Sequence, residues 1–568
     1  MTAEPSSTPD QPDADVATGL DLLLTDGALG PLRRMLPAAA GLRLALSLAG
    51  RPATVTRRGV GLAAELTKIG VGASEVAPHP KDKRYAHPAW ADNPLLRRLV
   101  QAHIAAGGTA ADLVADAELG WADDERVRFA VGNLIDALAP SNSLLNPSAW
   151  RAAIDTRGAS MVRGARRLVG DLAAPPRVPS MVEPDAFTVG TDVATTPGAV
   201  VLRTPVFELI QYLPQTESVH ELPLLIVPPT INKYYVADLA PGRSIVENLV
   251  RSGQQVFLMS WRNPGPEHAS WGLDTYGQAI LDAMEACETI TRTTRTSLMA
   301  FCSGGMITSM LLAHLAAVGA QERIASVTFA VTVLDQEKAG TTGALLDPET
   351  ARAAVAASQK KGYLDGRTLA EVFAWLRPND LIWSYWVNNY LRGEAPKAFD
   401  ILFWNADTTR MTANLHRDFI DIALSNALVT PGAATMLGTA VDLSKVDRDS
   451  YVIAGVADHL CAWQSCYRTT ELLGGTSRFI LSTSGHIASM VNPPGNPKAS
   501  FRVGSERATA AGAEAWLAVA ETQKGSWWPD HVAWLAQRSG AERDAPPELG
   551  ARGLHAIVPA PGEYILAR

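Results

Sequence analysis

A cysteine stands where a strand-like run gives way to a helix-like one. In "TSLMAFCSGGMITSMLLAHLAAVG", Thr296 to Gly319, strand-like residues lead into Cys302, followed by Gly304 and Gly305 and then an apolar helical pattern. A tight strand-to-helix turn lifts a nucleophile above a sheet, and it needs small neighbours because bulky ones collide with strand and helix. Here the neighbours are Ala300 and Gly304, so the usual G-x-S-x-G reads A-x-C-x-G. The helix aims its first free N–H groups and positive dipole end at the turn, favouring a thiolate at Cys302 and a developing oxyanion nearby. A lone cysteine in an apolar strand is ordinarily a packing residue. The two glycines and the switch of period directly after Cys302 favour the nucleophile.

A thiol with a reference pKa of about 8.5 is largely protonated at neutral pH, so a base is expected downstream. "VIAGVADH" carries a predicted strand to Asp458, and "FILSTSGH" carries the next to His486. Nucleophile, acid and histidine thus follow the order typical of hydrolase-type sheets, each at the carboxyl end of a strand. His486 would accept the thiol proton and later relay another, and Asp458 would hold the ring in the useful tautomer. His459 is a rival base, but along an extended chain it points away from Asp458. Cys461 and Cys466 form C-x4-C with no second ligand pair, which argues against a metal site. His314, on the helix after the turn, is better explained by packing or solvent exposure.

Positioning these groups takes a sheet, and the sequence supplies one. Short buried runs, "LPLLIVPP", "QQVFLMSW", "TSLMAF", "ASVTFAVTVLD", "DSYVIAGVAD" and "SRFILSTSGH", alternate with helical text, which implies a mainly parallel sheet covered on both faces. Between Leu334 and Leu443 the alternation lapses into Trp- and Asn-rich helical text. Strands resume at Tyr451, so this segment reads as an insertion lying over the sheet edge, a lid. Helical periodicity runs from Asn93 to Leu172, and "LAAPPRVPSM" closes that region with three prolines.

A chain of 568 residues exceeds what one core usually supports, which suggests a large catalytic domain plus an accessory region. A formal charge of -8 argues against a nucleic-acid partner, and four irregularly spaced cysteines favour a reducing cytoplasm over a disulfide framework. The first twenty residues are rich in Pro, Ser, Asp and Thr and read as disordered, with no secretory signal pattern. The charge-free stretch Ile422 to Val441 holds Ser, Asn, Thr, Pro and Gly, a poor membrane span that reads as soluble core or mobile cap. From Leu32 to Lys68, Arg33, Arg34, Arg43, Arg51, Arg57, Arg58 and Lys68 lie among apolar residues with Glu65 the only acid. That pattern suits a surface-binding arm or, equally, a helix packed on the next domain with a basic solvent face.

The chain resembles the polyhydroxyalkanoate synthases, which polymerise 3-hydroxyacyl-CoA into storage polyester. The matching text is "PPTINKYYVADLAPGRSIVENLVRSGQQVFLMSWRNP" (Pro228 to Pro264), the cysteine elbow, "PNDLIWSYWVNNYLRG", "FDILFWNADTTRM", "AGVADHLCAW" and "SGHIASMVNPPGNPK". Similarity runs from "DKRYAHPAWADNPLLRRLVQ" to the terminal "APGEYILAR". The resemblance implies an α/β-hydrolase core with an inserted cap and a mainly helical N-terminal region. The expected division is a disordered tail over 1–20, helices over 21–180, the catalytic core over 181–333 and 444–568, and a cap over 334–443. It implies Cys302 as acyl carrier, Asp458 as triad acid and His486 as base. The backbone N–H groups of Ser303 and Ile231 would form the oxyanion hole. Partners would be 3-hydroxyacyl-CoA, the growing polyester, a second copy of the chain and the surface of a cytoplasmic granule, with no transmembrane segment. No cofactor and no metal is expected, CoA being the leaving group. The single long chain resembles the type that works without a second subunit and usually takes short monomers. Two positions depart from the family pattern: Ala300, and Ala462 where proline is usual after "DHL".

The chemistry is coherent by itself. Passing an acyl group from the CoA thioester to the Cys302 thiol exchanges one thioester for another, so the activated bond survives for transfer to a hydroxyl. Water must be kept out, and the Trp-rich insertion with Trp375, Trp383, Trp386 and Trp404 suits a shield and gate, or equally an ordinary aromatic core. The competing readings are a cysteine thioesterase or polyester depolymerase on the same scaffold and a non-catalytic granule-associated protein.

Overall fold

The computed structural model describes residues 38–173, 175–337, 339, 340, 344, 348–458, 460–504 and 512–567. The tail expected over 1–20, Arg33, Arg34 and the rival base His459 lie outside the described residues.

A single large sheet organises the second half of the chain. Its strands are β1 (Gly198–Arg203), β2 (Phe207–Tyr212), β3 (Pro223–Val227), β4 (Gln255–Trp261), β5 (Thr296–Phe301), β6 (Ile324–Ala330), β7 (Ser450–Gly455), β8 (Ser477–Ser482), β9 (Ser500–Val503), β10 (Glu521–Lys524) and β11 (Val558–Pro559). Their spatial order is β10-β9-β8-β7-β6-β5-β3-β4-β2-β1-β11. The middle of the sheet, from β4 across to β8, is parallel, with Ile226 opposite Met299 and Ile453 opposite Ile480. These central strands are almost wholly buried, which is why they read as continuous apolar runs. On one face pack the helices Leu273–Thr291 and Ser303–Ala317, and on the other Ile245–Arg251 and Trp528–Ala536.

The flanks of the sheet are antiparallel and carry little sequence signal. In β2, "FELIQY", Glu208 and Gln211 are buried. Glu208 is satisfied by Arg203 and by the backbone N–H groups of Glu563 and Tyr564, so a polar residue interrupts an otherwise apolar strand. β10, "ETQK", is an exposed edge with no apolar face. Two strands also stop earlier than the sequence suggests. β7 ends at Gly455 and β8 at Ser482, so Asp458 stands on the following loop and His486 opens the short helix His486–Met490. The reason is local: Asp458 Oδ1 accepts from the N–H groups of Leu460 and Cys461, which turns the chain out of the strand.

N-terminal helices Pro52–Val71, Pro94–Asp116, Trp121–Ala137 and Ala159–Ala173 lie outside the sheet. Asn93 caps the second of these through Leu95 and Leu96 N–H, with Pro94 at its first position. Several cations of the basic arm are engaged here. Arg43 pairs with Asp123, Arg51 with Glu118, and Arg58 with Asp112 and Asp116. Of the two readings of the arm, the packed helix accounts for these residues. Arg57 is exposed.

The described residues of 334–443 are mainly helical, with two π-helical turns, Asn379–Trp383 and Trp386–Leu391, and two short strand pairs. Trp375, Trp383, Trp386 and Tyr390 form a chain of edge-to-face rings. They pack on the N-terminal region: Trp375 and Trp383 beside Val178 and Met181, and Trp386 Nε1 donating to Asn142 O. Trp404 is buried under the sheet edge and donates to Lys233 O. These tryptophans are therefore aromatic packing. The charge-free stretch folds back into the main core through Ile422, Leu428, Met436 and Val441. Among the described residues no helix is long and apolar enough to cross a membrane.

Candidate active site

Cys302 is the pivot between β5 and the helix Ser303–Ala317. Its backbone sits at φ 49° and ψ -118°, a conformation that a side-chain-bearing residue adopts only when its surroundings impose it. They do. Cys302 N–H donates to Ala330 O at the end of β6, and Cys302 O accepts from the N–H groups of Gly305 and Met306. A Cβ on Gly304 would lie 2.5 Å from Pro228 O and 2.8 Å from Val227 O, so only glycine fits where the helix meets the end of β3. Gly305 is similarly closed in by Thr332. Ala300 is fully buried in β5, paired with Val227 and Phe329, and its methyl group fits.

Asp458 and His486 converge on the same edge. His486 Nδ1 lies 2.7 Å from Asp458 Oδ2, and both side chains are almost fully withdrawn from solvent. With Nδ1 engaged, Nε2 is the ring nitrogen left to face the sulfur. Cys302 Sγ, a His486 ring nitrogen and Cys461 Sγ all lie within 4.8 Å of one another. All four cysteines are free thiols, and Cys302 is the one not fully buried.

The electrostatics follow this arrangement. Burial alone would push the His486 pKa down, but the Asp458 charge and hydrogen bond, with a contribution from Cys302, raise it to about 10. The Cys302 pKa is held well below the ordinary thiol range, first by a hydrogen bond from Cys461, against burial, and then by His486 and the Ser303 N–H. Cys461 moves the opposite way, well above that range, because it donates to Cys302 and is buried. The favoured state is a thiolate–imidazolium pair with a neutral thiol beside it.

Ser303 is the first residue of the helix, and its Oγ accepts from the N–H of Thr230 in the "PPTIN" turn. That bond joins the two segments expected to supply the oxyanion hole, Ser303 and the turn holding Ile231. The turn is pinned elsewhere too: Trp261 Nε1 donates to Pro228 O, and Lys233 Nζ donates to Ile565 O and Ala567 O near the end of the chain. The insertion reaches the residue before the histidine, since a Cβ on Gly485 would sit 3.3 Å from Arg377 Nη1.

Comparison with known proteins gives the arrangement its context. Residues 81–249 match the family described as "Poly-beta-hydroxybutyrate polymerase (PhaC) N-terminus", and residues 223–493 match "alpha/beta hydrolase fold". Over 89% of its length the chain is 43% identical to "Poly(3-hydroxyalkanoate) polymerase 2" of Ectopseudomonas oleovorans, covering 90% of that protein. The chain belongs to the poly(3-hydroxyalkanoate) polymerase family. It is also 44% identical to "Poly(3-hydroxyalkanoate) polymerase 1" of the same organism, over 89% of this chain and 90% of the relative. Identity to "Poly(3-hydroxyalkanoate) polymerase subunit PhaC" of Cupriavidus necator is 40%, over 88% and 85%. The core is the α/β-hydrolase fold, with an N-terminal helical region beside it.

Within that family pattern Ala462 is a mild departure. It caps the helix Trp463–Leu472 at φ -51°, a value that a proline ring would also impose, so the turn after Asp458 keeps its geometry. The residue that sequence reasoning missed is Cys461. Read with Cys466 as a C-x4-C pair, it looked inert; in the fold Cys466 is buried in that helix while Cys461 faces Cys302. The available signal was its place three residues after Asp458, on the loop that must return over the sulfur. Cys302, Cys461 and His486 together carry the donor set of a Cys2His site for a soft divalent metal, although no metal was expected from the sequence.

Proposed function

We propose that this chain is an acyltransferase that polymerises (R)-3-hydroxyacyl-CoA into polyhydroxyalkanoate with release of CoA, using Cys302 as the acyl-carrying nucleophile. The observation that carries this reading is the convergence of a half-buried thiol on a strained elbow with an imidazole oriented by a buried carboxylate. The extensive identity to named polymerases supports the substrate class.

In this scheme the Cys302 thiolate attacks the thioester carbonyl, and the Ser303 N–H, with the Ile231 N–H, stabilises the oxyanion. The carbon–sulfur bond to CoA breaks, and the His486 imidazolium gives its proton to the departing thiolate. The product is an acyl thioester on Cys302 that retains its activation. Neutral His486 then takes the proton from the 3-hydroxyl of the next monomer or chain end, whose oxygen attacks the acyl carbon; the carbon–sulfur bond to Cys302 breaks, the ester chain is lengthened and the thiolate–imidazolium pair is restored. Asp458 keeps Nε2 directed at the sulfur throughout. No cofactor or metal takes part.

The same reading places the protein in the cytoplasm, as a homodimer at the surface of a polymer granule, with 334–443 as the cap and short 3-hydroxyacyl groups as preferred monomers. The helix Ala159–Ala173 supports a granule contact, because Met161, Val162 and Val169 expose apolar side chains to solvent.

Cys302→Ala decides the assignment. We expect CoA release from 3-hydroxybutyryl-CoA to stop while the circular dichroism spectrum and melting temperature stay at wild-type values. Turnover persisting in that variant would overturn the nucleophile. Recovery of free 3-hydroxy acid from the wild type, with no insoluble polyester, would instead identify a thioesterase.

A further inference from the structure

Cys461 has no part in that scheme, yet its sulfur lies within 4.8 Å of the Cys302 sulfur. An S–S bond is about 2.05 Å long, and a rotamer change at either cysteine carries its sulfur about 3 Å, a movement of the size of the gap to be closed. The Cys461 backbone is held in place by its N–H bond to Asp458. The two thiols also differ in the way such a pair requires. Cys302 is partly open to solvent, whereas Cys461 is buried. Small oxidants attack the accessible thiolate, and the thiol beside it is placed to resolve the product. Neither Cys287 nor Cys466 belongs to this cluster, and both are fully buried.

We infer that Cys461 is the resolving partner of Cys302 in a reversible disulfide that silences the site under oxidising conditions and protects its sulfur from irreversible oxidation. With a peroxide as oxidant the steps balance. The Cys302 thiolate attacks one peroxide oxygen, the O–O bond breaks, and a sulfenic acid and hydroxide form. The Cys461 sulfur then attacks the Cys302 sulfur, the S–O bond breaks, and its oxygen leaves as water with the Cys461 proton. Both sulfurs end oxidised by one electron each, and the peroxide is reduced by two. A small dithiol reverses the reaction by exchange and leaves as its own disulfide. A thioester on Cys302 would exclude this chemistry, so the loaded enzyme is protected by its acyl group and the idle enzyme by Cys461.

Formation of the bond stands on geometry alone; only its effect on turnover rests on Cys302 being the nucleophile. The test treats the reduced full-length protein with hydrogen peroxide and maps its peptides without reduction. We expect a Cys302–Cys461 linked peptide, loss of CoA release in step with it, and return of both the free thiols and the activity with dithiothreitol. In Cys461→Ser, each preparation being compared with its own untreated activity, the same dose should leave Cys302 carrying two or three oxygens and beyond rescue. Cys466→Ser should form the link as the wild type does. The inference is overturned if wild-type Cys302 gains oxygens as fast as in Cys461→Ser with no linked peptide, or if it links only to another chain. Should the link form while turnover persists, the disulfide stands and the nucleophile assignment falls.

Discussion

Backbone atoms fix the elbow, whereas side chains hold the Trp-rich stretch between Trp375 and Leu391. At Cys302 the positive φ is enforced by three backbone hydrogen bonds and by a glycine pressed against the end of β3. At Trp375, Trp383 and Trp386 the contacts are ring edges on ring faces, and the indole N–H groups of Trp375 and Trp383 are buried without an acceptor among the described residues. The two π-helical turns in the same stretch leave the helix ladder irregular. Strain is tolerated where the reacting atom must be placed, and adaptable packing is used away from it. The comparison predicts a stiff chemical edge beside an insertion that opens locally.

The sharpest test of the stiff side is His486→Gln, which should lower CoA release about 10²–10⁴-fold without unfolding the protein. It should also change the pH profile of Cys302 alkylation. In the wild type the Cys302 pKa is lowered and that of His486 is raised to about 10, so the thiolate–imidazolium pair persists as pH falls below the usual thiol range. Iodoacetamide should therefore modify wild-type Cys302 at about pH 6 nearly as fast as at about pH 8. In the variant the rate should rise with pH more as an ordinary thiol's does. An identical profile in both proteins would remove His486 from the pair.

Next in size is Gly304→Ala. Its Cβ would meet backbone oxygens that have no room to retreat, so we expect a loss of about 1–3 kcal/mol in denaturant unfolding and a larger proportional fall in turnover than in stability. Unchanged turnover would mean that the elbow adapts, and the contrast drawn above would fail.

On the adaptable side, Trp383→Ala should speed amide exchange across residues 366–391 about tenfold or more, which corresponds to about 1.4 kcal/mol of local destabilisation. Exchange over the elbow should not change. A uniform acceleration across both regions would show that insertion and sheet open as one unit. The smallest effect is expected for Ala300→Gly. Glycine restores the commoner elbow pattern but frees the chain in β5, so stability should fall by about 0.5–1 kcal/mol while turnover stays within about twofold.

Much of this edge was legible in the sequence because its signals are local. The parallel strands are buried on both faces and so written as apolar runs, and the elbow is written as small residues around a cysteine at a change of period. The antiparallel flanks were not legible, since β2 buries Glu208 among apolar residues and β10 has no apolar face. The basic arm was ambiguous for a related reason. The charges of Arg43, Arg51 and Arg58 are visible in the chain, but the acids that face them stand on other helices, Asp123 and Asp116, or on the loop between those helices, Glu118.

The sequence by itself determined which residues carry reactive groups, that Cys302 opens a helix, and that acid and base follow in the order the sheet requires. Only the tertiary structure decided that the Asp458 carboxylate meets Nδ1 of His486, that Trp375, Trp383 and Trp386 pack on the N-terminal region, and that a second thiol rests beside the first. The physical reason is one of range. Propensity and periodicity act between neighbours along the chain, whereas the ionisation of Cys302 is set by groups that come within a few ångströms of it only after the sheet has assembled.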